Sequence, residues 1–157
     1  MDKLNTSDFE SQHSDKYSKK RKSVINLTPG KKNILLIGPQ SAPNDAERSF
    51  MAPALGVIRL AGYLNKNGHN AYHYEPNLVM LTKKGKKIEE ILVEKKWDII
   101  GFSVLEETMI YDIKNMQLAE KLNPHCLMIA GGIEAQFNYQ TILDKTPCNI
   151  VIISEGE

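Results

Sequence analysis

Three short segments carry residues suited to a ligand: Ser103-Val104-Leu105, Gly131-Gly132-Ile133 and Gly56. The first two each follow a run of apolar residues. A serine at the end of such a run has a hydroxyl that donates one hydrogen bond into a cleft. Two consecutive glycines strip side chains from the place where a flat group would enter. They equally permit positive φ, which is the plainer reading. Gly56 opens a helical stretch, where a missing side chain lets either a ligand or a neighbouring sheet approach closely.

Other candidates read as structural. Glu106 and Glu107 are a carboxylate pair by position, but two acids before a helix complement its dipole. Thr108 reads as the helix cap. Cys126 and Cys148 are too few and too far apart for a metal motif, and both lie in apolar segments, which suits buried reduced thiols. His69 and His73 fall at the start and middle of a strand, as structural or surface residues. Lys19-Lys20-Arg21-Lys22 reads as a solvated charge run rather than a nucleic-acid patch.

The elements that position these residues follow from periodicity. Residues 1–31 are rich in Ser, Asp, Lys and Asn without a sustained period, and read as a disordered polar tail. Residues 32–157 read as one domain. Apolar runs at 33–38, 70–75, 98–103, 126–130 and 149–153 suit strands buried in a parallel sheet. Helical spacing is read at 54–66, 86–95, 108–122 and 134–144. Strands alternating with helices predict an α/β fold: a Rossmann-like or flavodoxin-like, doubly wound five-stranded parallel sheet of order 2-1-3-4-5. Ligands in such sheets bind outside the carboxyl ends of the strands. That points to loops 38–56, 75–79, 103–108, 131–135 and 154–157.

Composition narrows the partners. With 41% hydrophobic and 25% charged residues and a net charge of +1, nothing points to nucleic acid or membrane. The absence of a signal-like apolar stretch predicts a cytoplasmic location.

Five segments in order carry a family resemblance: Asn33 to Pro39, Ala54 to His69, Trp97 to Ser103, Ile129 to Ile133, and Val151 to Glu157. Together they resemble the N-terminal cobalamin (B12)-binding domain of B12-dependent radical-SAM enzymes, over residues 33–157. The resemblance implies a corrinoid held by three elements: Asp-x-His-x-x-Gly, Ser-x-Leu and Gly-Gly. Ser103-Val104-Leu105 matches the second, and Gly131-Gly132 the third, with Ile133 following. By the resemblance, the serine contacts the nucleotide tail and the glycines make room for it. Of the first element only Gly56 matches, because no histidine lies between Pro39 and Gly56. The last segment reads Ser154-Glu155-Gly156-Glu157 where the family begins with Gly.

The family's catalytic half needs a Cys-x-x-x-Cys-x-x-Cys run for its iron–sulfur cluster. These 157 residues hold two isolated cysteines, so no cluster and no catalysis are expected from this chain alone. A separate radical-SAM catalytic domain is the expected partner, and the chain reads as a module cut off before it. The alternative is a degenerate interaction or substrate-recognition domain without cofactor. A phospho-receiver shares the topology, but Gly38-Pro39 and Ser103 stand where that chemistry needs acids. Flavin binding lacks a Ser/Thr-rich phosphate loop after the first strand.

Overall fold

A computed structural model describes residues 27–43 and 53–154. Its elements, in chain order, are β1 (Asn33–Ile37), α1 (Leu55–Lys66), β2 (Asn70–Tyr74), α2 (Pro76–Thr82), α3 (Ile88–Glu94), β3 (Ile99–Ser103), a 3-10 turn (Glu106–Thr108), α4 (Met109–Leu122), β4 (Leu127–Gly131), α5 (Ile133–Phe137), α6 (Tyr139–Lys145) and β5 (Ile150–Val151). The five strands form one sheet in the order β2-β1-β3-β4-β5, and every pairing is parallel. The expected doubly wound α/β fold is therefore present. Residues 27–31 are exposed and outside any helix or strand, while 1–26 of the expected tail lie outside the described residues.

Polar side chains at the amino ends of the strands set the register. The Asp98 carboxylate accepts from the Asn33 backbone N–H at 2.8 Å, and the Asp98 N–H donates to the Asn33 carbonyl at 2.9 Å. Asn149 does the same for β4, accepting from the Met128 N–H at 2.8 Å. These bonds occupy groups that the first residues of a ladder would leave open. In that register Leu36, Gly101 and Ile129 lie side by side across the middle of the sheet.

The two faces are covered unequally. Leu35 and Ile37 of β1, Ile100 and Phe102 of β3, and Met128 and Ala130 of β4 point into a large core. Leu92 of α3, Ile113 and Met116 of α4, Ala135 of α5 and Ile142 of α6 close it. On the other face Ile34 and Leu36 meet Val57 and Ala61 of α1 in a second, smaller cluster. α1 is the one described helix in that cluster. It ends at Asn67-Gly68, where Gly68 has φ +90° and the His69 N–H returns to the Leu64 carbonyl at 3.1 Å.

Several element bounds differ from the periodicity. Residues 75–79 were expected as loop, but α2 starts at Pro76, whose fixed φ suits a first helical turn. The third helix starts at Ile88 rather than 86, because the Glu90 carboxylate caps the Lys87 N–H at 2.7 Å. The helix expected at 134–144 breaks at Asn138, whose side-chain amide bonds the Glu134 carboxylate and whose φ is −110°. α4 buries Asp112, Asn115 and Ala119 with Ile113 and Met116, while Ile110 is 44% exposed. β5 pairs over two residues only, although the Ile152 N–H still reaches the Ala130 carbonyl at 2.9 Å.

Ile100 has 0% exposure in the middle of β3, so its truncation leaves an unfilled void. Ile100→Ala is expected to lower stability by about 3 kcal/mol. Val93→Ala, on the exposed side of α3, should stay within about 0.5 kcal/mol of wild type. Urea denaturation of both variants checks the contrast.

Candidate functional site: a groove at the carboxyl ends of the strands

Where α1 stops covering the sheet, a half-open cavity of about 820 Å³ remains, within the size range of ligand pockets. Its floor is the sheet face carrying Leu36, Ile99, Gly101 and Ile129. Gly56, Arg59 and Leu60 of α1 form one wall. Ser103, Gly131, Gly132 and Ile133 line the cavity at and just beyond the carboxyl ends of β3 and β4.

Five of the seven sequence-predicted residues thus meet: Gly56, Ser103, Gly131, Gly132 and Ile133. The two glycines of the pair differ in kind. A Cβ on Gly131 would come no nearer than 4.0 Å to Ile152, and one on Gly56 would meet nothing within 4 Å. Both positions are bare surface. Gly132 has φ +99°, and a Cβ there would lie 2.8 Å from the Val104 carbonyl oxygen. Backbone geometry and close packing account for it. The Ser103 hydroxyl, half-buried on the wall, has no hydrogen-bond partner among the described residues. Ile133 is 61% exposed at the mouth.

Val104 and Leu105 are not on the cavity wall. Val104 is wholly buried in the large core, with its N–H on the Gly131 carbonyl at 2.9 Å. It fixes the spacing between the two segments that do line the cavity. Leu105 is half-buried beyond it, and its N–H donates to the Thr108 hydroxyl at 3.2 Å. No histidine among the described residues lines the cavity. His69 precedes β2, His73 is exposed within it, and His125 precedes β4.

Sequence reasoning missed the acids that hold the neighbouring loops. Asp112 is 2% exposed on α4. One carboxylate oxygen accepts from the Gln40 N–H at 2.9 Å, just after β1. The other lies 2.6 Å from the Thr108 hydroxyl, which is also 3.2 Å from the Leu105 carbonyl. The Asn115 amide donates to the Gln40 side-chain oxygen at 2.8 Å. The far end of the same loop is held by Glu75, whose carboxylate accepts from the Ala54 N–H at 3.1 Å. A Cβ on Gly38 would fall 2.6 Å from that carboxylate, so Gly38 is what admits it. The available signal was an acid four residues after Thr108, on the stripe that α4 buries.

Burial pushes the Asp112 carboxyl up to about 7, against the opposing bonds from Thr108 and Gln40. Burial also raises Glu75, against the Ala54 N–H and the nearby His73. Thr108 has one hydroxyl hydrogen for two acceptors. A proton on Asp112 lets the carboxyl donate to the Thr108 oxygen and releases that hydrogen to the Leu105 carbonyl. The folded protein therefore holds this proton more tightly than the unfolded chain does. Its contribution to stability is full below about pH 4, declines as pH rises, and is lost by about pH 7. Asp112→Asn reproduces the neutral form at every pH. Denaturation profiles should show wild type losing stability relative to this variant across that window, by up to about 1.4 kcal/mol per pH unit. Parallel profiles would rule out the assignment.

Both cysteines are buried free thiols, and burial pushes each up to about 12, which leaves them unreactive near neutral pH. Among the described residues no three of His, Cys, Asp and Glu gather as a metal-binding group. No described helix is long and apolar enough to cross a membrane.

Two proteins named anaerobic magnesium-protoporphyrin IX monomethyl ester cyclase are similar to this chain. One is from Cereibacter sphaeroides and the other from Rubrivivax gelatinosus; each is 26% identical over 125 residues, or 79% of this chain. The chain spans about a fifth of their length, 20% and 22% respectively. Residues 44–157 match the B12 binding domain, which takes in β2 to β5, α1 and every residue named on the cavity wall except Leu36. With that match over most of its length, the chain belongs to the B12-binding domain family.

Proposed function

We propose that this chain is a corrinoid-binding module that works with a radical-SAM catalytic domain, and that the groove beside α1 seats the cofactor's nucleotide tail. The observation that carries the reading is the combination, on the walls of one cavity, of bare glycine surface at Gly56 and Gly131 with a Ser103 hydroxyl that has no partner among the described residues. A tail lying on this wall buries apolar surface against Leu36 and Ile129 and takes one hydrogen bond from Ser103. The cofactor, when bound, supplies cobalt-centred methyl-transfer or redox chemistry. The chain's own part is to bind, orient and shield. The segment 38–56 has no histidine, and none lines the cavity among the described residues, so those residues offer no imidazole to the cobalt. Ser103, Gly56 and Gly131 would hold the tail.

The test is direct. Purified protein mixed with hydroxocobalamin and desalted should retain the corrinoid's visible spectrum. Gly131→Val fills the wall with two methyl groups at a position that tolerates a Cβ. It should fold with an unchanged melting temperature and lose the corrinoid. Ser103→Ala should weaken binding about fivefold, the loss of one neutral hydrogen bond. Gly132→Ala should instead fail to fold stably, since its defect lies in the backbone. Folded wild type that retains no corrinoid would refute the reading and favour a cofactor-free interaction domain.

A further inference from the structure

β1 ends beside the cavity, where Ile37 is part of the lining, and the Gly38 N–H still pairs with the Tyr74 carbonyl at 2.9 Å. Beyond Gly38 the next N–H groups turn from backbone to side chains. Gln40 donates to the Asp112 carboxylate at 2.9 Å, and Ser41 to the Asn77 side-chain oxygen at 2.9 Å. Side chains also donate to the strap: the Asn115 amide to the Gln40 oxygen at 2.8 Å, and the Asn77 amide to the Ser41 hydroxyl at 3.2 Å. Residues 39–41 are thus strapped from α4 to α2 by side chains, outside any helix or strand. A segment held in this way opens at a lower free energy than the core.

Asp112 lies beneath the strap, 2% exposed. No counter-ion faces it among the described residues. Residues 38–43 and α2 contain no titratable side chain. On the turn before α4, Glu106 and Glu107 are exposed, and on α4 the Lys114 ammonium sits 4.9 Å over the Tyr111 ring. An ionised carboxylate here has only neutral hydrogen-bond donors, and water is the remaining partner for its charge. We infer that residues 39–41 form a proton-operated strap: it stays closed over neutral Asp112, and loss of the proton opens it so that water reaches the carboxylate. The device does not depend on the corrinoid reading. What it frees is the carboxyl end of β1, beside the groove.

The sign follows from burial, which raises the Asp112 carboxyl to about 7 when the strap is closed. Opening returns it toward the ordinary carboxylate range, so the closed form holds the proton more tightly. Closure is favoured fully below about pH 4, opening grows by up to about tenfold per pH unit above that, and it levels off near pH 7.

Native-state amide hydrogen exchange of the full chain, read by NMR and corrected for the intrinsic rate at each pH, tests this with and without low urea. Protection at Gln40 and Ser41 should fall at least about tenfold between about pH 5 and pH 7. It should be insensitive to low urea and stay below that of Ile100, which opens only with the core. Asp112→Asn, neutral at every pH, should flatten the profile. Gln40→Ala removes the Asn115 bond and keeps the backbone tie to Asp112, so it should lower strap protection at every pH with the slope retained. Wild-type strap protection that does not change with pH would overturn the inference. So would strap amides that exchange only together with Ile100, in urea-dependent unfolding. If Asp112→Asn does not fold, the wild-type and Gln40→Ala profiles decide.

Discussion

β3 carries two different environments on alternate residues. Ile100 and Phe102 point into the core sealed by α3, α4 and α6, whereas Ile99, Gly101 and Ser103 line the cavity on the face against which α1 packs. A strand in the middle of a parallel sheet normally has both faces covered. Here, among the described residues, one face is closed and the other leaves a cavity over β3 and β4. The cavity, its apolar floor and the position of Ser103 at its end all follow from that unequal covering. Gly101 shapes the floor: a Cβ there would lie 2.8 Å from Leu36, so Leu36 leans over it.

The carboxyl-end loops are not held by the groove itself. They are held by acids withdrawn from water to different degrees: the buried Asp112 on Gln40 and Thr108, and the half-buried Glu75 on Ala54. Backbone N–H groups replace the lost hydration, and such bonds are worth more where the local dielectric is low. The site is therefore arranged in two layers. Apart from Arg59 and Gln136, the residues meeting the cavity are apolar, glycine or hydroxyl, and the carboxyl groups that position the loops lie behind them.

How legible this was in the sequence depends on the kind of constraint. Strand positions were readable because apolar runs such as Asn33 to Ile37 end at Gly or Pro, and both faces of the sheet ask for the same residue types. Ser103 and Gly131 were readable from their places at strand ends. Val104 and Leu105 were not separable from Ser103 by sequence, because only the pleat decides that Ser103 faces the groove and Val104 the core. Gly131 and Gly132 look alike in a sequence, and differ once φ at Gly132 is +99°. Asp112 escaped because an acid within a helix is usually solvated; its burial depends on Gln40, 72 residues earlier. The break at Asn138 turned on a local side-chain bond that periodicity does not record.

The clasp between α1 and β2 has a consequence of another sort. Asn65 donates to the Ala71 carbonyl at 2.8 Å and accepts from the Ala71 N–H at 2.7 Å. β2 is an outer strand of the sheet, and these two groups of Ala71 are turned away from β1. Free edges of this kind are templates onto which a further strand can add. Asn65 imitates that strand with a single side chain, satisfying donor and acceptor together. A chain approaching this edge must first displace an amide already held at both ends, so the helix that walls the groove also guards the sheet against growth in the opposite direction.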